Sequence, residues 1–303
     1  MAQTKHYLLL HFVVLIWGFT AVLGLLISIP SVEVVFYRTL IASLVLGLLL
    51  RIWREPLVLK RMVMSKIIGT GALIAAHWIL FFAAARVANA SVCLAGMATC
   101  SLWTSLLDPL MNKRKIRWYE VGLGLLVIVG LYVIFRFEFD HALGLFMAII
   151  SAMLGAVFTV LNATFARTHN AYVITFYEMA GACASIVLFF PFYAAYLSET
   201  GTLQLVPTAT DWLYLLVLAL VCTLYAFSVS VNLMRYVTAF AMNLTNNLEP
   251  VYGILLAVLV FGDQEAMSLP FYLGTAIILL SVLAYPVIRR INRRRALPEN
   301  IPL

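Results

Sequence analysis

Apolar residues run through this chain in blocks of about 20, and short polar joints separate one block from the next. A bilayer core of ~30 Å takes roughly 20 helical residues to cross. The blocks predict ten membrane-spanning helices, at about 7–29, 32–51, 66–86, 89–111, 118–136, 141–165, 171–197, 212–234, 238–261 and 270–288. Breakers or charges mark the joints, as at Pro30-Ser31, Trp53-Arg54-Glu55-Pro56, Asn112-Lys113-Arg114-Lys115, Arg167-Thr168-His169-Asn170 and Gly262-Asp263-Gln264. No joint is long enough for a soluble domain. The first block is expected to be retained as a span, being too long for a cleaved signal and lacking a small-residue site after it. The expected fold class is an all-α membrane protein.

Composition agrees. Of the 303 residues, 64% are hydrophobic and 11% charged, and the mean hydropathy is +1.02. No soluble fold of this length could cover so much apolar surface.

With an even number of spans both termini share one side. Seventeen of the 20 Lys and Arg residues fall on that side, Arg86 and Arg136 lie opposite, and Arg38 lies inside a span. Basic loops stay cytoplasmic, so both termini are expected in the cytoplasm. The small size and the lack of organelle signals point to a bacterial inner membrane. The net charge of +7 follows from this topology and from anionic inner-leaflet lipid, so nucleic acid is not expected as a partner. The basic run Arg289 to Arg295 reads as a cytoplasmic anchor. Cys93, Cys100, Cys183 and Cys222 all fall inside spans, without metal-ligand spacing, and read as reduced core residues. Trp53, Trp118, Trp212, Tyr172 and Tyr272 sit at span ends, as an aromatic belt does.

The chain repeats itself. Phe36-Tyr37-Arg38 in the second span returns as Phe176-Tyr177-Glu178 in the seventh, 140 positions later. Gly18 returns as Gly155, Arg86 as Arg235 and Gly122 as Gly274, at offsets of 137, 149 and 152. Each unit holds five spans, so the second copy enters the bilayer from the opposite side. The predicted organisation is a first five-helix repeat over 1–137, an inverted one over 138–288 and a basic tail over 289–303. Inverted repeats build alternating-access transporters with a site near the midplane.

Trp17-Gly18, Phe36-Tyr37-Arg38, and Leu248-Glu249-Pro250 followed by Phe261-Gly262-Asp263, in this order along ten spans, resemble the EamA branch of the drug/metabolite transporter superfamily. The resemblance covers essentially the whole chain. It implies that four helices of each half surround a central cavity with the fifth peripheral, and that the solute is a small metabolite such as an amino acid, exported or exchanged. The first half departs from the pattern. Cys100-Ser101 stands where the second half has Glu249-Pro250, and Asp108-Pro109 comes later in the span.

Ionisable groups at bilayer depth cost at least ~2.5–3.5 kcal/mol each and need a reason. Glu249 lies near the midplane of span 9 among Asn243, Asn246 and Asn247, and Asn246 shares its helix face. Pro250 leaves the Asn246 carbonyl without its helical donor, which is tolerable only beside protein or water. Arg38 and Glu178 occupy equivalent repeat positions with opposite charge, about a third of the way in from opposite faces. Buried salt bridges or gate latches compete with solute contact as their role. Asp108 reads as structural. His77 and Trp78 sit midway along span 3, and His77 is a second candidate for a proton. Trp17, Trp78 and Trp103 are deep, either packed or lining a cavity wall, and Tyr37 and Tyr177 are further cavity candidates.

The expected function is a secondary transporter of a small organic solute, outward by resemblance, with a proton as the coupling ion that Glu249 and His77 allow. A facilitative exchanger of metabolites or cationic drugs and a lipid flippase remain as alternatives. No nucleotide-binding loop is present, and no H-E-x-x-H, G-x-S-x-G or facing aspartate pair suggests an intramembrane enzyme. No cofactor, metal or catalytic residue is expected. The expected partners are the solute and the bilayer, and a homo-oligomer is compatible with the sequence.

Overall fold

The protein is seen in a computed structural model that describes residues 3–135, 141–198, 200–249, 252–253 and 268–295. Over these residues the chain is helical, with no strand. The elements are α1 (Thr4–Gly18), α2 (Thr20–Leu26), α3 (Ser31–Ile52), α4 (Arg61–Val87), α5 (Ala90–Met97), α6 (Cys100–Met111), α7 (Trp118–Phe135), α8 (Ala142–Phe165) and α9 (Ala171–Tyr196). They continue with α10 (Ala209–Leu216), a π-helical stretch (Val217–Tyr225), α11 (Ala226–Leu233), α12 (Ala239–Asn246) and α13 (Leu269–Arg295).

Among the described residues eight helical segments are long and apolar enough to cross a membrane, and Trp118–Gly130 is a shorter apolar helix. The ninth predicted block is described only in part. Pro250, Phe261-Gly262-Asp263, Arg136 and the tail beyond Arg295 lie outside the described residues.

Local chemistry sets the ends of these helices. Asn89, Asn170 and Thr208 each accept a backbone N–H in the first turn that follows them, and Thr238 does the same for α12, satisfying donors that a helix start leaves free. The last helix runs on to Arg295 rather than stopping near residue 288, because arginine favours helix and no Pro or Gly lies between Pro286 and Pro298.

Four predicted spans are not continuous α-helices. The first breaks at Phe19, where the Phe19 N–H reaches back only to Ile16 O. The fourth breaks at Ala98-Thr99, the eighth carries the π-helical stretch, and the ninth breaks at Asn247-Leu248. Apolar pattern could not reveal the first three of these breaks, since no Pro or charge marks Phe19, Ala98-Thr99 or the π-helical stretch.

Helices of the two halves interleave. α3 packs on α9, α7 on α13 and α6 on α12. α4 packs on α8 and α9, while the segment over Ala209–Leu233 packs on α1, α2 and α3. Gly71 and Gly181 bring α4 and α9 into backbone contact, since a Cβ on either would collide with main-chain atoms of the other helix. Gly18 and Gly253 also lie close, a Cβ on Gly18 falling 3.2 Å from Gly253 N and one on Gly253 falling 3.0 Å from Gly18 O. Small residues of this kind let helices approach where no hydrophobic force drives them together.

Candidate functional site

A cavity of about 80 Å³ lies where α1, α3, α4, α8, α11 and the broken fourth and ninth spans converge. Its wall contains Trp17, Arg38, His77, Trp78, Asn243, Asn246 and Glu249. Glu249 stands 11 residues past Thr238, about 16 Å along the helix, close to half the depth of the bilayer core.

Broken helices build the wall. At the first break Thr20 Oγ1 donates to Trp17 O (2.6 Å). The breaks in the fourth and ninth spans repeat each other atom for atom. Ala98 N–H and Thr99 N–H donate to Ala95 O and Gly96 O, each at 3.2 Å. Their counterparts 149 positions on, Asn247 and Leu248, donate to Leu244 O (3.2 Å) and Thr245 O (3.0 Å). Each three-residue closure tightens one turn and turns the following residues toward the cavity, so Cys100 and Glu249 both line it. Asn247 bridges the two breaks. It contacts Ser101 Oγ at 3.1 Å and, with its amide nitrogen toward the backbone, reaches Ala98 O at 3.1 Å.

The π-helical stretch supplies two acceptors. Trp17 Nε1 donates to Cys222 O (3.0 Å), and Arg38 Nε donates to Thr223 Oγ1 (2.5 Å). Arg38, 2% exposed, lies with its guanidinium carbon 3.8 Å from the centre of the Trp78 ring, a cation–π stack that offsets part of the cost of burial. His77 Nδ1 lies 2.8 Å from Ser151 O. A carbonyl only accepts, so Nδ1 carries a proton, which in the neutral ring makes Nε2 the base. Asn243 Nδ2 donates to Thr104 Oγ1 (2.7 Å), and Thr159 Oγ1 donates to Asn243 Oδ1 (3.3 Å). Asn246 Oδ1 has no partner among the described residues, and Glu249 and Arg38 share the cavity without an ion pair within 4 Å.

Equivalent residues also close helix ends within each half and tie the halves to each other. Arg86 Nη2 donates to Gly24 O (3.1 Å) and Ile27 O (2.9 Å), closing the end of α2. Arg235 donates to Ala166 O (2.7 Å) and His169 O (2.6 Å), closing the end of α8. Tyr37 Oη donates to Leu205 O and Tyr177 Oη to Leu57 O, both at 2.7 Å. Each tyrosine therefore holds a loop of the other half.

The EamA-like transporter family model matches residues 4–136 and again residues 142–285. The chain belongs to the EamA-like transporter family. A solved structure described as "Crystal structure of protein" shares the fold, with a TM-score of 0.70 and 18% identity over 95% of this chain and 99% of that one. The search of curated proteins returned no match.

Within this EamA-type fold the other predicted site residues lie away from the cavity. Trp103 packs with Cys100, Ala152 and Ala156 between α6 and α8. Tyr37 and Tyr177 serve the loop ties described above. Glu178 is fully buried against Asn162 of α8. Asp108 accepts from Asn112 Nδ2 (2.6 Å) at the end of α6, in keeping with a structural part. Phe81, Phe158, Phe227 and three methionines complete the apolar wall. In sequence they are indistinguishable from ordinary core residues. Thr223 and Ser151, which orient Arg38 and His77, carried no signal beyond being polar inside a span. Among the described residues no cluster of His, Cys, Asp or Glu could hold a metal.

Proposed function

We propose that this family member is a secondary transporter that moves a small zwitterionic organic solute, of the amino-acid type, through the central cavity by alternating access. One observation carries the reading: a carboxylate and a guanidinium, Glu249 and Arg38, share one small aromatic-walled cavity at mid-depth without pairing with each other. A zwitterion satisfies both, its carboxylate toward Arg38 and its ammonium toward Glu249, while Trp17, Trp78 and the phenylalanines take the side chain. Left empty, both charges carry a desolvation cost, and a solute that meets them relieves it.

Two inverted five-helix halves, 1–137 and 138–288, support the alternation. The reciprocal ties of Tyr37 and Tyr177, and the equivalent helix-end closures that Arg86 and Arg235 make each within its own half, are what a two-fold relation between halves requires. On the topology of the basic loops, both termini are cytoplasmic in a bacterial inner membrane, Arg86 closes the outer side and Arg235 the inner side. Transport is outward and coupled to protons through Glu249, with His77 Nε2 as a second acceptor.

A lipid substrate is the second reading. A groove of about 820 Å³ lies between α3, α4 and α9, walled by Ala72, Ala76, Leu80 and Phe189. It shares no lining residue with the cavity, so a lipid lying there would not meet Glu249, and the solute reading is preferred. Thermal stabilisation in detergent, screened over amino acids, nucleosides and cationic drugs, tests the choice. An amino acid should raise the melting temperature of the wild type and not of Arg38→Met. Stabilisation by lipid alone would overturn the reading.

A further inference from the structure

Glu178 is 0% exposed, sits on α9 against α8, and has no cation near it. Asn162 Nδ2 donates to its Oε2 at 3.3 Å. The other oxygen of each group, Glu178 Oε1 and Asn162 Oδ1, is buried without a partner among the described residues. Both are acceptors if the carboxyl is ionised, so two orphans face a dry interior. A single hydrogen removes the mismatch. A proton on Oε1 becomes the donor that Asn162 Oδ1 lacks, and the acid and the primary amide close a two-bond ring by rotation of their planar ends. The ionisable side chains of the helices packed on α9 are Glu33, Tyr37, Arg38 and Arg51 on α3 and Arg61, Lys66, His77 and Arg86 on α4. α8 and α11 have none, and no ion pair engages Glu178.

We propose that Glu178 is a second proton-binding site, protonated and locked to Asn162 in this conformation and presented to the cavity in the opposite one. The step is a proton transfer alone: a carboxylate oxygen takes a proton from water and later returns it to water. The exchange follows from the repeat. Arg38, the equivalent residue of the first half, lines the cavity now while Glu178 is sealed against Asn162, which lies one turn beyond the cavity-lining Thr159 on α8. When inverted halves trade conformations, α9 offers Glu178 where α3 offered Arg38, and the charge of the wall reverses. This second clause rests on the alternating-access reading and the first does not.

Infrared spectra of the unloaded protein in lipid nanodiscs separate the two. The wild-type minus Glu178→Gln difference at neutral pH should contain the carbonyl stretch of a protonated carboxylic acid, and Asn162→Leu should shift that band upward by removing its hydrogen bonds. Glutamine mimics the protonated acid and keeps both bonds to Asn162, so the melting temperature of Glu178→Gln should match wild type. Carboxylate bands in the difference, or an acid band that Asn162→Leu leaves in place, would overturn the protonation. At mildly alkaline pH the acid band should weaken in Arg86→Ala or in Arg235→Ala, whichever opens the second half. A band unchanged in both would overturn the exchange alone and leave the proton site standing.

Discussion

The two halves of this chain share a backbone design and differ in chemistry at the point where they meet. The fourth span of the first half and the corresponding span of the second break at the same place with the same three-residue closures. Around the break one half has Met97, Ala98 and Cys100, and the other has Asn246, Asn247 and Glu249. The charges are apportioned the same way: α3 gives the cavity Arg38, whereas α9 keeps Glu178 sealed. Geometry that both halves need in order to interleave is duplicated. On the transport reading, the chemistry that one solute needs is present once, since a small cavity cannot give two copies of a group the same neighbour.

The sharpest way to break this comparison is at the duplicated breaks. Glu249→Gln should lower pH-driven uptake of whichever amino acid stabilises the protein by about 1,000-fold, roughly 4 kcal/mol, with the melting temperature unchanged. Cys100→Ser, the matching change in the other half, should stay within about threefold. Uptake in proteoliposomes under an imposed pH gradient measures both, and equal losses would mean that the cavity does not distinguish its two walls.

Packing between halves comes next. A Cβ at Gly71 would collide with main-chain atoms of Glu178, Gly181 and Ala182, whereas one at Gly69, half a turn away, meets nothing within 4 Å. Backbone cannot yield as a side chain does. Gly71→Ala should therefore cost about 3 kcal/mol, while Gly69→Ala should be neutral or stabilising by up to ~1 kcal/mol. Thermal unfolding in one detergent compares them.

Sequence carried the large-scale architecture further than the site. Block length and the duplicated Arg86 and Arg235 segment disclosed helices and repeats because both follow from the bilayer and from duplication, which act on many residues at once. Arg38, His77 and Glu249 stood out because charge at depth is expensive. Trp103 gave the opposite outcome: a deep indole is equally at home on a cavity wall or between two helices, and only its contacts with Ala152 and Ala156 decide. The breaks at Phe19 and Thr99 were invisible for a related reason, since the side chains there are apolar or small and the hydrogen bonds that change are main-chain ones. Tyr37 and Tyr177 were noticed as a repeat, but their acceptors are carbonyls of distant loops, which no local pattern announces.

The arginine latches sharpen the comparison at the membrane faces. Each closes two carbonyls at a helix end with a charged donor, a bond type worth about 1.5–3 kcal/mol. Arg86→Ala and Arg235→Ala should each lower stability by about 2 kcal/mol. Their functional effects should diverge, with accessibility of a cavity cysteine such as Cys100 rising from the outer side in the first variant and from the cytoplasmic side in the second. Impermeant thiol reagents applied to right-side-out and inverted vesicles read this directly. Labelling that rises from one side in both variants would mean the halves are not inverted.

The smallest effect belongs to the tyrosine ties, and it tests reciprocity with the least disturbance. Tyr37→Phe and Tyr177→Phe each remove one hydroxyl and one bond to a loop carbonyl and leave the ring contacts with Trp212 and Phe176 in place. Tyr37 makes its bond in an exposed setting and Tyr177 in a partly buried one. The expected losses are about 0.5 and 1 kcal/mol, since water replaces the exposed bond more readily. If the halves open in turn, each loss falls on one closed face only. Tyr37→Phe should then raise outer-side labelling of Cys100 and Tyr177→Phe cytoplasmic labelling, and the double variant should restore the wild-type ratio at a higher overall rate. A ratio that stays displaced in the double variant would show the two ties acting on something other than opposite faces of one cavity.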